Sequence, residues 1–104
     1  VQTCALPILQ KKIDNGEKVI IKLSGEWCGP CQMLKPIFEK VEKENTSGVQ
    51  LFSIDVDENR DFAVSLGVRS VPTIKVFNNG ELFTTKVGLI DETELKGLID
   101  SING

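Results

Sequence analysis

The sequence predicts an α/β domain in which helices cover both faces of a mixed β-sheet. Stretches with apolar residues at helical spacing alternate along the chain with short runs of β-branched residues, which is the pattern of β-α-β units. A tight-turn signal joins the last two of these runs and predicts an antiparallel hairpin. A chain of 104 residues suits a single domain, and we assign residues 1–104 to it.

A helix and then a strand begin the chain. Apolar residues at positions i, i+3 and i+7 predict the helix over about 6–15, and they are Leu6, Leu9 and Ile13. Residues 19–24 are almost continuously apolar and rich in β-branched side chains, as expected of a strand that is covered on both faces of the sheet. Lys22 is the only charged residue in this strand.

A second helix and a second strand follow. The helix begins near Pro30 and runs to about residue 44, with Pro36 inside it as an expected kink. Its predicted apolar face consists of Met33, Leu34, Ile37, Phe38 and Val41. Residues 49–56 predict the strand. Because a right-handed crossover is the near-universal solution for this unit, the two strands and the helix should form a β-α-β motif.

A short helix comes after the second strand. Asp57 or Asn59 is expected to cap it, because both side chains accept hydrogen bonds from free helical N–H groups. The helix should bury Phe62 and Leu66 and stop at Gly67.

A hairpin and a last helix complete the order. Residues 73–77 and 82–87 predict two antiparallel strands, and Asn79-Gly80 supplies the positive φ angles of the turn. The acidic pair Asp91-Glu92 marks the start of an amphipathic helix that should cover the sheet. The apolar residues of this helix are Leu95, Leu98, Ile99 and Ile102.

The composition excludes several classes of function. Twelve Lys plus Arg against fifteen Asp plus Glu give a net charge of −3, so we expect no nucleic-acid partner. The chain has no histidine, which rules out Ser/His/Asp triads and imidazole bases. The longest apolar run, 19–21, is far too short to span a membrane. Residues 1–8 show no secretory signal, so we expect a cytoplasmic protein, although a mature secreted form remains an alternative.

A cysteine pair stands where the first strand ends and the second helix begins, within the run Trp27-Cys28-Gly29-Pro30-Cys31. Pro30 suits the first turn of a helix, and Gly29 should permit a tight entry. Cys28 is then at or just before the helix N-terminus, where free N–H groups and the helix dipole favour a thiolate. We predict that Cys28 attacks a target disulfide and that Cys31 resolves the mixed disulfide.

Two structural interpretations of the pair compete with this chemistry. A static disulfide that closes so short a loop stabilises a fold very little. A zinc site needs two further ligands, but the only other sulfur is Cys4 and no histidine is available. We therefore expect neither a metal nor another cofactor. Cys4 itself is interpreted as an incidental small residue, and an intermolecular disulfide is its alternative.

Several motifs are spread from about residue 6 to the end of the chain: residues 26–31, Pro36, residues 67–73, Asn79-Gly80 and Val87-Gly88. Through them the chain resembles the thioredoxin family. This resemblance implies the thioredoxin fold, a central mixed sheet of four to five strands flanked by four helices. The amino-terminal strand would be shortened here to about residues 1–4. The resemblance also implies a monomer that reduces disulfides in protein substrates and is recharged by an NADPH-linked thioredoxin reductase.

The resemblance implies further residues of the site. Pro72 would follow a cis peptide bond and lie against the sulfurs, whereas its alternative is a trans proline at the start of a strand. The backbone of Val71 would pair with an extended substrate segment. An apolar rim would surround Cys28, formed by Trp27, Pro30, Val71, Pro72 and Gly88. Packing of Trp27 in the core is the competing interpretation.

Two positions depart from the family pattern. Lys22 stands six residues before Cys28, where the family usually has a buried Asp, and the Lys that accompanies this Asp corresponds by position to Leu51. We hypothesise that an inward-pointing Lys22 favours the cysteine thiolates and lowers their pKa relative to an Asp at the same site. The alternatives are a deprotonated Lys22 that serves as a base and a Lys22 that reaches the surface and has no role.

Three other functions remain open at the level of the sequence. One is a specialised thioredoxin-like oxidoreductase with narrow clients, to which the changes at Lys22 and Leu51 would be suited. A second is a module that binds a partner protein while its disulfide stays idle. The third is a dimer in which two cysteine pairs bind a metal ion.

Overall fold

The computed structural model describes residues 6–45 and 48–103. The elements are α1 (Leu6–Asp14), β1 (Val19–Ser24), α2 (Gly29–Glu44), β2 (Gln50–Asp55), α3 (Arg60–Ser65), β3 (Thr73–Asn78), β4 (Glu81–Val87) and α4 (Glu92–Asn103). The predicted order of elements is confirmed. The strand expected at about residues 1–4 and Cys4 lie outside the described residues. None of the helices in the described ranges is long and apolar enough to cross a membrane.

The strands form one mixed sheet in the order β2-β1-β3-β4. β1 pairs in parallel with β2, which confirms the β-α-β motif, and β3 pairs antiparallel with both β1 and β4. Asn79 and Gly80 have φ angles of 57° and 81°, as the hairpin prediction requires. The ends of β1 and β2 and the start of β3 therefore meet at one edge of the sheet.

Helices cover both faces of the sheet, as predicted. One hydrophobic cluster joins the sheet to α2 and α4, and its α2 members include Leu34, Phe38 and Val41. The other joins the opposite face to α1 and α3 through Leu9, Ile13, Phe62 and Ala63. Met33 is an exception to the predicted face of α2, because 61% of its surface is exposed. The buried stripe of α2 consists of Cys31, Leu34, Phe38 and Val41, and Met33 lies beside it.

The start of α3 differs from the prediction. Asn59 occupies the N-cap position, but its side chain makes no cap hydrogen bond. Its amide donates instead to the backbone carbonyl of Asp55 over 3.0 Å. The carboxylate of Asp55 accepts hydrogen bonds from the backbone N–H groups of Asp57 and Glu58. The side chain that ends β2 thus organises this turn.

Candidate active site

The Cys28–Cys31 pair lies at the amino terminus of α2. Cys28 is the N-cap residue, with extended backbone angles (φ −92°, ψ 119°), and Pro30 stands in the first turn. The missing N–H of proline leaves no hydrogen bond unmade at that position. The two cysteines form a disulfide with Cα atoms 5.2 Å apart. The structure therefore places the pair at the helix terminus that the sequence predicts.

The helix terminus acts directly on the sulfur of Cys28. The backbone N–H of Cys31 donates to Cys28 Sγ over 3.2 Å. Because this N–H lies in the first turn, it has no partner within the helix, and together with the helix dipole it favours negative charge on the sulfur. Cys28 is 6% exposed and Cys31 3% exposed. Both sulfurs are thus sheltered, and Cys28 is the more accessible of the two residues.

The sequence predicts that Gly29 permits a tight entry into the helix, but the backbone at this position does not require a glycine. Its φ is not among the positive values, and a Cβ atom at this position would meet nothing within 4 Å. The physical reason is that Cys28, as the N-cap, makes the turn into the helix. The missing side chain at this exposed position leaves open space beside Cys28.

The loop before β3 brings Val71 and Pro72 to the disulfide. The Val71–Pro72 peptide bond is cis, as expected, and the carbonyl oxygen of Val71 lies 3.6 Å from Cys28 Sγ. The N–H of Gly88 donates to the carbonyl of Pro72 over 2.8 Å. Val71 and Gly88 are half-buried and Pro72 is buried. Pro72 therefore lies below the predicted apolar rim, as the floor of the groove around Cys28, and is not part of the exposed surface.

Trp27 forms an exposed platform next to Cys28. Its side chain is 70% exposed, so the alternative of core packing is wrong. The indole Nε1 donates to the carboxylate of Asp57 over 2.6 Å. The ring lies over Gly25, where a Cβ atom would come within 2.8 Å of a ring carbon. Asp57 and Gly25 together determine where the ring lies.

Asp57 and Gly25 are site residues that the sequence analysis missed, since Asp57 was considered only as a helix cap. A signal for Asp57 was available. It follows the end of β2, and the carboxyl ends of the parallel strands β1 and β2 meet at one edge of the sheet. No comparable signal marked Gly25, because its role depends on where the Trp27 ring packs.

We expect Asp57→Ala to release the Trp27 ring without unfolding the protein, because an exposed hydrogen bond contributes about 1 kcal/mol or less. Trp27 is the only tryptophan in the chain, so its fluorescence reports on this ring alone. Its anisotropy should fall and its quenching by acrylamide should rise. Asp61→Ala, at an exposed position of α3, is the matched control. An equal change in both variants would contradict the role of Asp57.

Lys22 lies in the interior, with 3% of its surface exposed. Its ammonium is 5.2 Å from the centroid of the Phe38 ring, which places the side chain against α2. Burial lowers the pKa of Lys22. The negative charge of Glu39 opposes this shift, and the positive charge of Lys35 adds to it.

The strand register corrects the position assigned to Leu51. Lys22 stands opposite Ser53 of β2, whereas Leu51 stands opposite Ile20. Ser53 is therefore the residue beside Lys22 on the neighbouring strand. The sequence could not determine this, because the pairing register depends on how the helix and its loops pack between the two strands.

Comparison with known proteins agrees with this fold. A family model described as Thioredoxin matches residues 6–101. A thioredoxin from Rickettsia typhi is 45% identical over 91 residues, which are 88% of this chain and 84% of that protein. The structure of a mutant thioredoxin from Halobacterium salinarum is similar with a TM-score of 0.86 at 37% identity, covering 98% of this chain and 88% of that one.

A second solved structure gives the same result. The thioredoxin from Malassezia sympodialis is similar with a TM-score of 0.85 at 30% identity, and the match covers 96% of this chain and 89% of that one. The chain therefore belongs to the thioredoxin family of protein-disulfide oxidoreductases, and it acts by dithiol–disulfide exchange through Cys28 and Cys31.

Proposed function

We propose that the protein reduces disulfide bonds in other proteins, with Cys28 as the nucleophile. The Cys28 thiolate attacks one sulfur of the substrate disulfide, the substrate S–S bond breaks, and the other substrate sulfur leaves as a thiolate. A mixed disulfide between Cys28 and the substrate results. The hydrogen bond from the Cys31 N–H to Cys28 Sγ supports this assignment, because it favours the thiolate at Cys28.

Cys31 then resolves the mixed disulfide. Its thiol gives up a proton, its sulfur attacks Cys28 Sγ, and the second substrate thiolate is released and protonated. Two electrons pass from the dithiol to the substrate while the Cys28–Cys31 bond forms again. The Cα separation of 5.2 Å supports closure without movement of the helix. An NADPH-linked thioredoxin reductase would return the two electrons to the pair.

We propose that the substrate lies in a groove around Cys28. Its extended segment would pair with the backbone of Val71 by strand addition, and the contact of the Val71 carbonyl with Cys28 Sγ supports this position. The remaining groove residues are Trp27, Gly29, Pro30, Pro72 and Gly88. Trp27 and Pro30 supply exposed apolar surface on one side, which suits a protein substrate.

One observation carries the proposal: the disulfide at the N-terminus of α2 in a chain of this family. The test is the reduction of insulin in the presence of NADPH and thioredoxin reductase. The measured signal is the consumption of NADPH. The protein should accelerate the reaction, and the double variant Cys28→Ala, Cys31→Ala should not. Without acceleration by the unaltered protein, the module that only binds a partner becomes the better explanation.

We further propose that the protein works as a single-domain monomer in the cytoplasm. A dithiol reductant suits that compartment, where thiols are kept reduced. Size-exclusion chromatography with light scattering should give a mass near 11.5 kDa for the reduced protein. Twice that mass under reducing conditions would contradict the monomer.

A further inference from the structure

Lys22 is a buried charge that the exchange reaction described above does not use. It stands opposite Ser53 of β2 and Ile74 of β3, neither of which carries a charge. Within residues 6–45 and 48–103, no carboxylate lies within salt-bridge distance of its ammonium. An interior ammonium without a salt bridge is costly to desolvate. The position of Lys22 relative to the Cys28–Cys31 disulfide indicates a role for this charge.

The strand registers place Lys22 beneath the active site. Along β1, Lys22 is two residues before Ser24, where the strand ends. Across the sheet, its partner Ile74 is two residues after Pro72. Two residues of a strand span about 7 Å. Because the carbonyl of Val71 contacts Cys28 Sγ, the Lys22 backbone lies one short strand segment below the disulfide.

The Lys22 side chain points into the layer that contains α2. Ile20, on the same face of β1, belongs to the same hydrophobic cluster as Phe38, and the ammonium lies 5.2 Å from the centre of that ring. Phe38 and Cys31 share the buried face of α2. They are seven residues apart, which is about 10 Å of helix. Since helical side chains lean toward the N-terminus, the ring leans toward Cys31.

The charged groups that face Lys22 both belong to α2. They are Glu39 and Lys35, whose effects on the lysine oppose each other. The residues of α4 in the same cluster are apolar: Leu95, Leu98, Ile99 and Ile102. Among the described residues Glu39 forms no salt bridge with Lys22, and the positive charge of Lys35 weakens the effect of Glu39 on the lysine.

We propose that Lys22 is a positioning residue for the exchange reaction, whose ammonium stabilises the thiolate that forms when the Cys28–Cys31 disulfide is reduced. The inference rests on the proposed function. Reduction breaks the S–S bond with two electrons from a donor dithiol, which itself becomes a disulfide. One sulfur takes up a proton and the other stays negative. A positive charge in the same buried layer attracts this thiolate with little screening by salt, whereas the intact disulfide carries no charge for it to attract.

Lys22→Met tests the proposal, because it removes the charge and keeps an unbranched side chain. The midpoint of the thiolate titration, followed by ultraviolet absorbance, should move to higher pH. The equilibrium constant for reduction by glutathione should fall by about three- to tenfold. Lys22→Arg should preserve both values, because it keeps the positive charge.

Lys75→Met is the matched control. Lys75 is also buried and stands one strand away. Its ammonium donates to Thr85 Oγ1, and it is opposite Ile21, which packs in the cluster of α1 and α3. The control should leave the thiolate titration near that of the unaltered protein. Equal shifts in the two Met variants, or no shift in Lys22→Met, would overturn the proposal.

Lys22→Met is expected to fold. Because burial lowers the pKa of Lys22, the folded protein binds this proton less tightly than the unfolded chain does. The charged lysine therefore costs stability at pH values below its folded pKa, and the cost disappears as the pH rises toward the unfolded pKa. Methionine removes that cost and retains most of the packing.

A measurement on the unaltered protein needs no variant. If Lys22 stabilises the thiolate, the thiolate must raise the pKa of Lys22 by the same coupling energy. Carbon NMR titration of the Lys22 side chain should therefore give a higher pKa in the reduced protein than in the oxidised one. Identical titrations would overturn the proposal even if insulin is reduced normally. A shifted titration without insulin reduction would count against the proposed function alone.

Discussion

Cys31→Ser is expected to convert the protein from a reductase that turns over into one that holds its substrate. Cys28 can still attack a disulfide, because its thiolate is favoured by the N-terminus of α2. Without the second sulfur, the mixed disulfide cannot be resolved. Insulin reduction should fall to the uncatalysed rate, and mass spectrometry should detect a covalent adduct on Cys28.

Cys28→Ser is the matched variant, and it should form no adduct. Cys31 is 3% exposed and lies within the first turn of α2, so its sulfur is sheltered from a protein disulfide. All proteins in this experiment should carry Cys4→Ser, so that an adduct has to form at the pair. If Cys28→Ser accumulates the adduct and Cys31→Ser does not, the roles of the two cysteines are reversed.

Phe38→Ala is expected to cause the largest loss of stability among single substitutions considered for this chain. The ring is fully buried between the sheet and α2, and it contacts the ammonium of Lys22. Removal of a large buried aromatic side chain lowers the free energy of unfolding by about 3–5 kcal/mol. Denaturant unfolding of the oxidised protein, followed by circular dichroism, measures this loss.

Phe83→Ala provides the same chemical change at an exposed position. About half of the Phe83 side chain is exposed on β4, so we expect a loss of about 1 kcal/mol or less. The difference between the two variants reports the burial of Phe38, since the substitution itself is identical. Equal losses would show that Phe38 does not pack in the core as described.

Local patterns were sufficient for most of the fold. The hairpin follows from Asn79-Gly80, because two residues with positive φ select a tight turn between strands. The N-terminus of α2 follows from Pro30 and from the apolar spacing behind it. Met33 was wrongly placed in the buried face, since a single helical pattern does not show how wide a stripe the sheet covers.

Contacts between distant parts of the chain were harder to predict. The partner of the Trp27 indole is Asp57, thirty residues later. Asn59 stands at the N-cap of α3, but its side chain is used elsewhere in the turn. In each case a polar side chain had several plausible partners, and the choice among them depends on which loops lie at the same edge of the sheet.

The amino-acid sequence by itself determined that this protein is an α/β chain with a cysteine pair at a helix terminus, because helix starts, tight turns and apolar spacing are local properties. Only the tertiary structure decided that Lys22 is buried beside Ser53 and under the active site, and that Pro72 forms a floor. The physical reason is that strand register and side-chain burial arise from packing between segments far apart in the chain, which no local pattern specifies.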